Sequence, residues 1–229
     1  MIVHIANLLS AQDLEYIRRT LKQVEFRDGQ ASAHTLARTR KNNLEFSAAG
    51  TPQQKIDELL VARLYAHPEC QALLPHKIAH PYYACYEAGM SYGDHTDDPI
   101  MGQGERYRSD IAVTVFLNDG SEYQGGELII NTQTPSAMSA FKGAAGAAVL
   151  YPATGMHRVE TVSSGTRLVA VTWIQSLIRE AHKRELVYHL GALRTNMIEQ
   201  ASDDSDAQQA NGRKANWVYT NLVRLWSDV

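Results

Sequence analysis

AAVLYPATGMHRVETVSSGTRLVAVTWIQS, residues 147–176 of the 229-residue chain, contains two β-rich runs, Ala147–Tyr151 and Arg167–Ile174, with Ser164-Gly165 as a turn signal before the second. Working back towards the N-terminus, Tyr82–Tyr86, Ile111–Leu117 and Glu127–Asn131 have the same texture. Asn118-Asp119-Gly120 and Gly125-Gly126 mark the breaks between them. Several short strands punctuated this way predict a sandwich or barrel rather than a parallel βαβ sheet.

Helical patterns flank this β region. Ser10 is placed to cap a helix running from residue 11 to about 25, with Asp13 closing a capping box and Leu9 and Leu14 forming a hydrophobic staple. Leu14, Ile17, Leu21 and Val24 then recur at helical spacing. A second helix is predicted with Thr51 as its cap, Pro52 at its first position, Gln54 closing the box, and Ile56, Leu59, Leu60 and Leu64 as its apolar face. After Gln175 helical spacing returns through Ile178, Leu186, Leu190 and Leu193. The polar stretch Ala201–Asn211 reads as an exposed loop, and Trp217, Val218, Leu222, Leu225 and Trp226 as the core-facing side of a last helix. The expected plan is α+β with a mainly β core. An N-terminal helical flank (1–77) packs on that core (78–176), and a C-terminal helical region (177–229) follows.

Composition narrows the function classes. Hydrophobic residues make up 44% and charged residues 21%, as in ordinary globular chains, and the formal net charge is -3. There is no basic surplus to attract nucleic acid or an anionic membrane. No stretch approaches the roughly 18 apolar residues of a spanning helix, and the start lacks a basic-then-apolar leader, so a cytoplasmic protein is expected. Cys70 and Cys85 make neither a disulfide framework nor a zinc pair. A metal in this chain would have to take imidazole and carboxylate ligands.

One constellation supplies them. His95-Thr-Asp97 lies within the β region, after the run Tyr82–Tyr86, His157 follows Tyr-Pro-Ala-Thr-Gly-Met, and Arg167 comes ten residues later. His-x-Asp puts both side chains on one side of a strand or its end. Two histidines and one carboxylate are the facial ligand set of non-haem iron(II) oxygenases, which leaves three positions open. Arg167 can enter the same cavity from the next strand, where its planar fork suits the far carboxylate of 2-oxoglutarate.

Taken singly, these residues have plainer readings. Nine histidines in 229 residues make a chance His-x-Asp common, about 0.5 per chain of this composition. Asp94, Asp97 and Asp98 also suit a solvated turn, and Asp98 competes with Asp97 as a ligand, although the i+2 spacing favours Asp97. His157 alone fits a hydrogen-bonded core histidine, and Arg167 alone fits a surface ion pair. The other seven histidines show no ligand spacing.

The ordered set His95-x-Asp97, His157 and Arg167 resembles the prolyl-4-hydroxylase-like branch of the Fe(II)/2-oxoglutarate-dependent dioxygenases, and the chain is similar in particular to the bacterial PKHD-type hydroxylases. Lys41-Asn42-Asn43, Arg108-Ser-Asp110, Phe116-Leu117, Tyr-Gln-Gly125-Gly126-Glu-Leu, Leu150-Tyr-Pro152, Trp173-Ile-Gln-Ser and Asn221-Leu-Val-Arg-Leu-Trp226-Ser carry the likeness along nearly the whole length. The resemblance implies a double-stranded β-helix (jelly roll, cupin-like) core and one Fe(II) per subunit. It also implies 2-oxoglutarate as cosubstrate with O2, L-ascorbate (vitamin C) as supporting reductant, and a link to iron uptake or homeostasis. The implied reaction is oxidative decarboxylation of 2-oxoglutarate to succinate and CO2, coupled to hydroxylation of a small-molecule or peptide substrate.

Tyr86, nine residues before His95, stands where related hydroxylases place a tyrosine against the cosubstrate; a core tyrosine is the equal alternative. Arg108 and Asp110 read as a structural ion pair beside the site, with a substrate contact as the alternative. The segment Asp98–Tyr107 reads as a lid. Lys41, Asn42 and Asn43 suit either the substrate entrance or a capping turn. The apolar stripes of the C-terminal helices are expected to serve packing or a homo-oligomer surface. The competing reading of the whole chain is a non-catalytic β-roll module that binds or senses iron. A dedicated carboxylate clamp at Arg167 argues against it.

Overall fold

Burial along one ten-residue strand, Arg167–Ser176, shows how the layers are arranged. Leu168, Ala170 and Ile174 face one hydrophobic cluster while Val169, Val171 and Trp173 face another. That is the period-two alternation of a strand covered on both sides. A computed structural model of the chain describes residues 1–32, 38–46, 51–102, 104–131, 138–200 and 206–228.

With strands numbered in chain order, the major sheet runs β1 (Val3–Ile5), β14 (Ala148–Pro152), β10 (Ile111–Phe116), β17 (Arg167–Ser176), β6 (Tyr82–Tyr86), β4 (Leu44–Phe46) and β2 (Arg27–Asp28). β5 (Pro75–Ile78) also pairs with β17. The second sheet runs β13 (Met138–Phe141), β12 (Leu128–Asn131), β15 (His157–Val159), β7 (Ser91–His95) and β3 (Lys41–Asn42). Two ribbons complete the set: β11 (Tyr123–Gly125) with β16 (Val162–Gly165), and β8 (Ile100–Met101) with β9 (Tyr107–Arg108). All these pairings are antiparallel.

Between the two main sheets lie Ala84, Tyr86, Ala112, Phe116, Leu128, Ile130, Val149, Tyr151, Val159 and Val169. On the outer face of the major sheet Val113, Val115, Ala170 and Ile174 pack against Ile17 and Leu21 of α1 (Ala11–Leu21) and Ile56, Leu60 and Leu64 of α2 (Thr51–Ala66). The expected double-stranded β-helix with flanking helices is therefore the observed architecture.

Several local expectations are modified. The capping box at Ser10 forms, with Ser10 N–H donating to Asp13 Oδ2 (3.0 Å) and Asp13 N–H to Ser10 Oγ (3.1 Å), but α1 ends at Leu21 and Val24 lies beyond it. Thr51 is the first residue of α2 rather than its cap, and the Gln54 amide donates to Glu58 Oε1 (2.9 Å). The N-terminal flank is not helical alone: β1, β2 and β4 extend the major sheet and β3 extends the second. A short helix, α3 (Pro68–Gln71), leads into β5.

At the C-terminus α4 (Ala181–Gln200) is followed by α5 (Asp206–Trp226), so residues 206–211 are helical rather than loop; residues 201–205 lie outside the described set. Trp217 and Leu225 do not face the core. They are 66% and 73% exposed, and Leu186 and Leu193 of α4 are 57% and 59% exposed. The helices are held to the core by Val187, Tyr188 and buried Arg184, which donates to the carbonyls of Ile178 (2.6 Å) and Asp110 (3.3 Å). No helix among the described residues is long and apolar enough to cross a membrane. Cys70 and Cys85 are unpaired, as expected, and burial pushes their thiols up to about 12 and about 11.

Candidate active site

Antiparallel pairing of β7 with β15 sets His95 directly across from His157. Asp97 follows two residues after β7 ends, and one ligand atom from each of the three lies within 4.8 Å of the others. His157 Nε2 lies 3.7 Å from Asp97 Oδ1. Among the described residues Asp98 is not part of this cluster.

The two imidazoles are aimed by the same device. His95 Nδ1 lies 2.8 Å from the carbonyl of Gly93, and His157 Nδ1 lies 3.0 Å from the carbonyl of Gly155. A carbonyl only accepts, so each Nδ1 carries the proton and each Nε2 lone pair is left for the cluster. Burial and the neighbouring His157 depress His95 to about 3, which keeps it a neutral donor. Tyr92 stacks on the His95 ring at 3.6 Å and 12°, and Tyr151 meets His157 edge-on at 5.0 Å.

Burial raises the Asp97 carboxyl, while His157 and the Trp173 indole oppose the rise. Asp97 Oδ2 and Trp173 Nε1 are both buried and without a hydrogen-bond partner. The indole N–H thus faces the carboxylate closely enough to act on its charge, without hydrogen-bond geometry. Two imidazoles that present Nε2 and a desolvated carboxylate match Fe(II), whose positive charge would hold Asp97 ionised.

Arg167 is only 1% exposed, which excludes the surface ion-pair reading. It starts β17 opposite Tyr86 of β6, with its guanidinium carbon 5.0 Å from the Tyr86 ring centroid and 6.0 Å from that of Phe116. Tyr86 is 4% exposed, and burial, partly opposed by Arg167, pushes its hydroxyl up to about 12. Arg167 Nε has no hydrogen-bond partner.

The remaining sequence candidates fall around this centre. Lys41 and Asn42 form strand β3 rather than a capping turn. Lys41 is buried, pairs with Glu45, and lies 5.3 Å from the centroid of the Tyr92 ring that stacks on His95. Arg108 and Asp110 form the ion pair: Arg108 Nε and Nη2 donate to the two Asp110 oxygens (2.7 and 3.0 Å), and Ser176 N–H donates to Asp110 Oδ2 (2.9 Å). The segment 98–107 holds the β8–β9 turn, with residue 103 outside the described set. The sequence does not single out Tyr92, and Tyr123, Tyr151 and Trp173 enter only within the motifs that carry the resemblance. The period-two rule along β17 could have placed Trp173 with Arg167, since both occupy odd-numbered positions of one strand face.

The family model of the 2OG-Fe(II) oxygenase superfamily matches residues 81–175, a span that contains the His95, Asp97 and His157 cluster and Arg167. A PKHD-type hydroxylase of Thermosynechococcus vestitus is 36% identical over 231 residues, spanning 100% of both chains. Two solved structures share the fold. One is a prolyl hydroxylase from Trichoplax adhaerens with a peptide fragment of the hypoxia inducible factor oxygen degradation domain (TM-score 0.55, 15% identity, 76% of this chain and 83% of that one). The other is HygX from Streptomyces hygroscopicus with nickel, 2-oxoglutarate and hygromycin B (TM-score 0.52, 14% identity, 76% and 82%). The chain belongs to the PKHD-type hydroxylases and is a 2-oxoglutarate-dependent oxygenase.

Proposed function

We propose that His95, Asp97 and His157 hold one Fe(II) per subunit and that Arg167 holds the distal carboxylate of 2-oxoglutarate, with Tyr86 packed against that cosubstrate. The observation that carries this reading is a three-donor cluster within 4.8 Å and an arginine that is 1% exposed, with Asp97 and Arg167 both acting on the buried Tyr151 hydroxyl. When bound, Fe(II), 2-oxoglutarate and O2 supply oxidative decarboxylation to succinate and CO2 and the insertion of one oxygen atom into a substrate C–H bond. The chain's own part is positioning. The Gly93 and Gly155 carbonyls fix the imidazoles, the Asp97 carboxylate completes the facial set, and Arg167 meets a dianion in a water-poor wall of Tyr86, Phe116 and Val169. L-Ascorbate serves as supporting reductant.

The substrate is a peptide or a small molecule. The Trichoplax enzyme was solved with a peptide and HygX with hygromycin B, so this fold accommodates either class. The 98–107 segment acts as a lid over it, and Lys41 with Asn42 and Asn43 lines the approach. Arg108 and Asp110 enter as scaffolding rather than substrate contacts, because their bonds tie β9 and β10 to the end of β17. A role in iron uptake or homeostasis, a cytoplasmic location and a homo-oligomer through the exposed apolar residues of α4 and α5 complete the proposal.

Anaerobic addition of Fe(II) and 2-oxoglutarate should give the weak visible charge-transfer band of the chelate. Admitting O2 should then release succinate, and a screen of prolyl peptides and iron-chelating metabolites should find the compound that stimulates release. Iron binding with neither band nor succinate would leave only an iron-binding module.

A further inference from the structure

Tyr123 and Arg167 are large side chains at 1% exposure that each leave a polar atom unpartnered: the phenol hydroxyl and the guanidinium Nε. They are neighbours, since Arg167 acts on the Tyr123 hydroxyl against the rise that burial imposes on it. A guanidinium has donors only, and a phenol both donates and accepts. The phenol oxygen can accept from Arg167, but its own O–H still needs an acceptor, which a carboxylate with two oxygens would supply while the guanidinium takes the other oxygen.

The backbone is shaped to bring the two together. Tyr123 of β11 pairs with Gly165 of β16, where a Cβ would come 2.8 Å from the Tyr123 Cα. At Gly126, which has φ of +68°, a Cβ would lie 3.1 Å from both Tyr123 Cε2 and Arg167 Cδ. A side chain there would wedge into the space between ring and guanidinium. From elsewhere on the ring, Lys142 Nζ lies 4.5 Å from its centroid and donates to the Tyr123 carbonyl (2.9 Å). The Tyr-Gln-Gly-Gly motif therefore fixes a tyrosine against the arginine.

We propose that the Tyr123 hydroxyl is a second donor to the distal carboxylate of 2-oxoglutarate, bonding one oxygen while Arg167 takes the other. This rests on the assignment of Arg167 to that carboxylate. The test compares the wild type with Tyr123→Phe, which keeps the ring and removes the donor. Affinities are read from the anaerobic Fe(II) charge-transfer band for 2-oxoglutarate and for 2-oxopentanoate, which keeps the chelating end but lacks the distal carboxylate. Tyr123→Phe should bind 2-oxoglutarate roughly 10- to 100-fold more weakly, the worth of one hydrogen bond to a charged group, with less than about a twofold change for 2-oxopentanoate and for Fe(II) alone.

Equal losses for both oxo acids, or no loss for 2-oxoglutarate, would overturn the proposal. In an Arg167→Ala background the same change should still weaken 2-oxoglutarate binding. Disappearance of the effect there would make Tyr123 only a positioning residue for Arg167 and refute direct contact. A wild type without any band would instead strike down the cosubstrate assignment, and the proposal with it. Tyr123→Met serves as the second donor-free variant should the phenylalanine lose Fe(II) binding.

Discussion

Trp173→Phe should weaken metal binding without touching a ligand. Asp97 Oδ2 and the Trp173 N–H are both buried and unpartnered, and the indole already lowers the carboxylate's pKa from across the site. A bound cation would hold Asp97 ionised in a desolvated setting, where an indole N–H that closes onto the carboxylate would be worth about 1.5–3 kcal/mol, roughly 10- to 100-fold in affinity and the usual range for outer partners of a metal site. Anaerobic competition of Fe(II) or Co(II) against a chelator measures this directly, and the melting temperature of the apoprotein reports whether packing has suffered. Tyr82 provides the control, because its ring meets Trp173 edge-on at 5.9 Å. Tyr82→Leu loosens the indole's packing but keeps its N–H. An affinity for Trp173→Phe within about twofold of wild type, or a Tyr82→Leu loss of the same size, would refute the reasoning.

Arg167→Ala should abolish 2-oxoglutarate-dependent succinate release while Fe(II) affinity changes by less than about threefold; equal loss of both would remove Arg167 from the cosubstrate site. Asp57 is buried beside the Tyr83 hydroxyl (2.9 Å), with His80 Nδ1 3.8 Å away, and burial raises its pKa from 3.8 to about 6. The folded chain thus holds a proton that the unfolded chain releases near pH 4, so this group's contribution falls as pH rises from about 4 to about 6 and is flat above, by about 3 kcal/mol at most. Asp57→Asn should remove that slope in denaturant melts; an unchanged slope would contradict the shift. Light scattering should show a homo-oligomer that Trp217→Ser with Leu225→Ser converts to monomer, and a monomeric wild type would end the oligomer proposal.

β17 was legible as a strand because a strand covered on both sides reads as a nearly continuous apolar run, and Arg167 stands out as the charged residue at one end of it. The strands of the first 46 residues were not legible. β2 and β3 are two residues long and β1 and β4 three, too short to show a period, and they form by completing sheet edges that distant residues create. Residues 206–211 misled through polarity. Ala207, Gln208, Gln209 and Ala210 are good helix formers, and Asp206 sits favourably in the first turn of α5. Trp217 and Leu225 show the opposite error, since periodicity reveals an apolar stripe but not what lies against it. Tyr123 was hidden because its relation to Arg167 depends on glycines acting through space rather than on spacing along the chain.

The paired Gly93 and Gly155 carbonyls have a consequence for which metal the enzyme carries. They orient both imidazoles from within the local chain, so two of the three proposed donors stand ready before any ion arrives and can accept other first-row divalent ions. Such a site follows the general affinity order, in which cobalt, nickel and copper outrank iron. On the proposed assignment selection is then left to supply: iron would occupy the site where it is the ion on offer, and an excess of nickel or cobalt would silence the enzyme while leaving it folded.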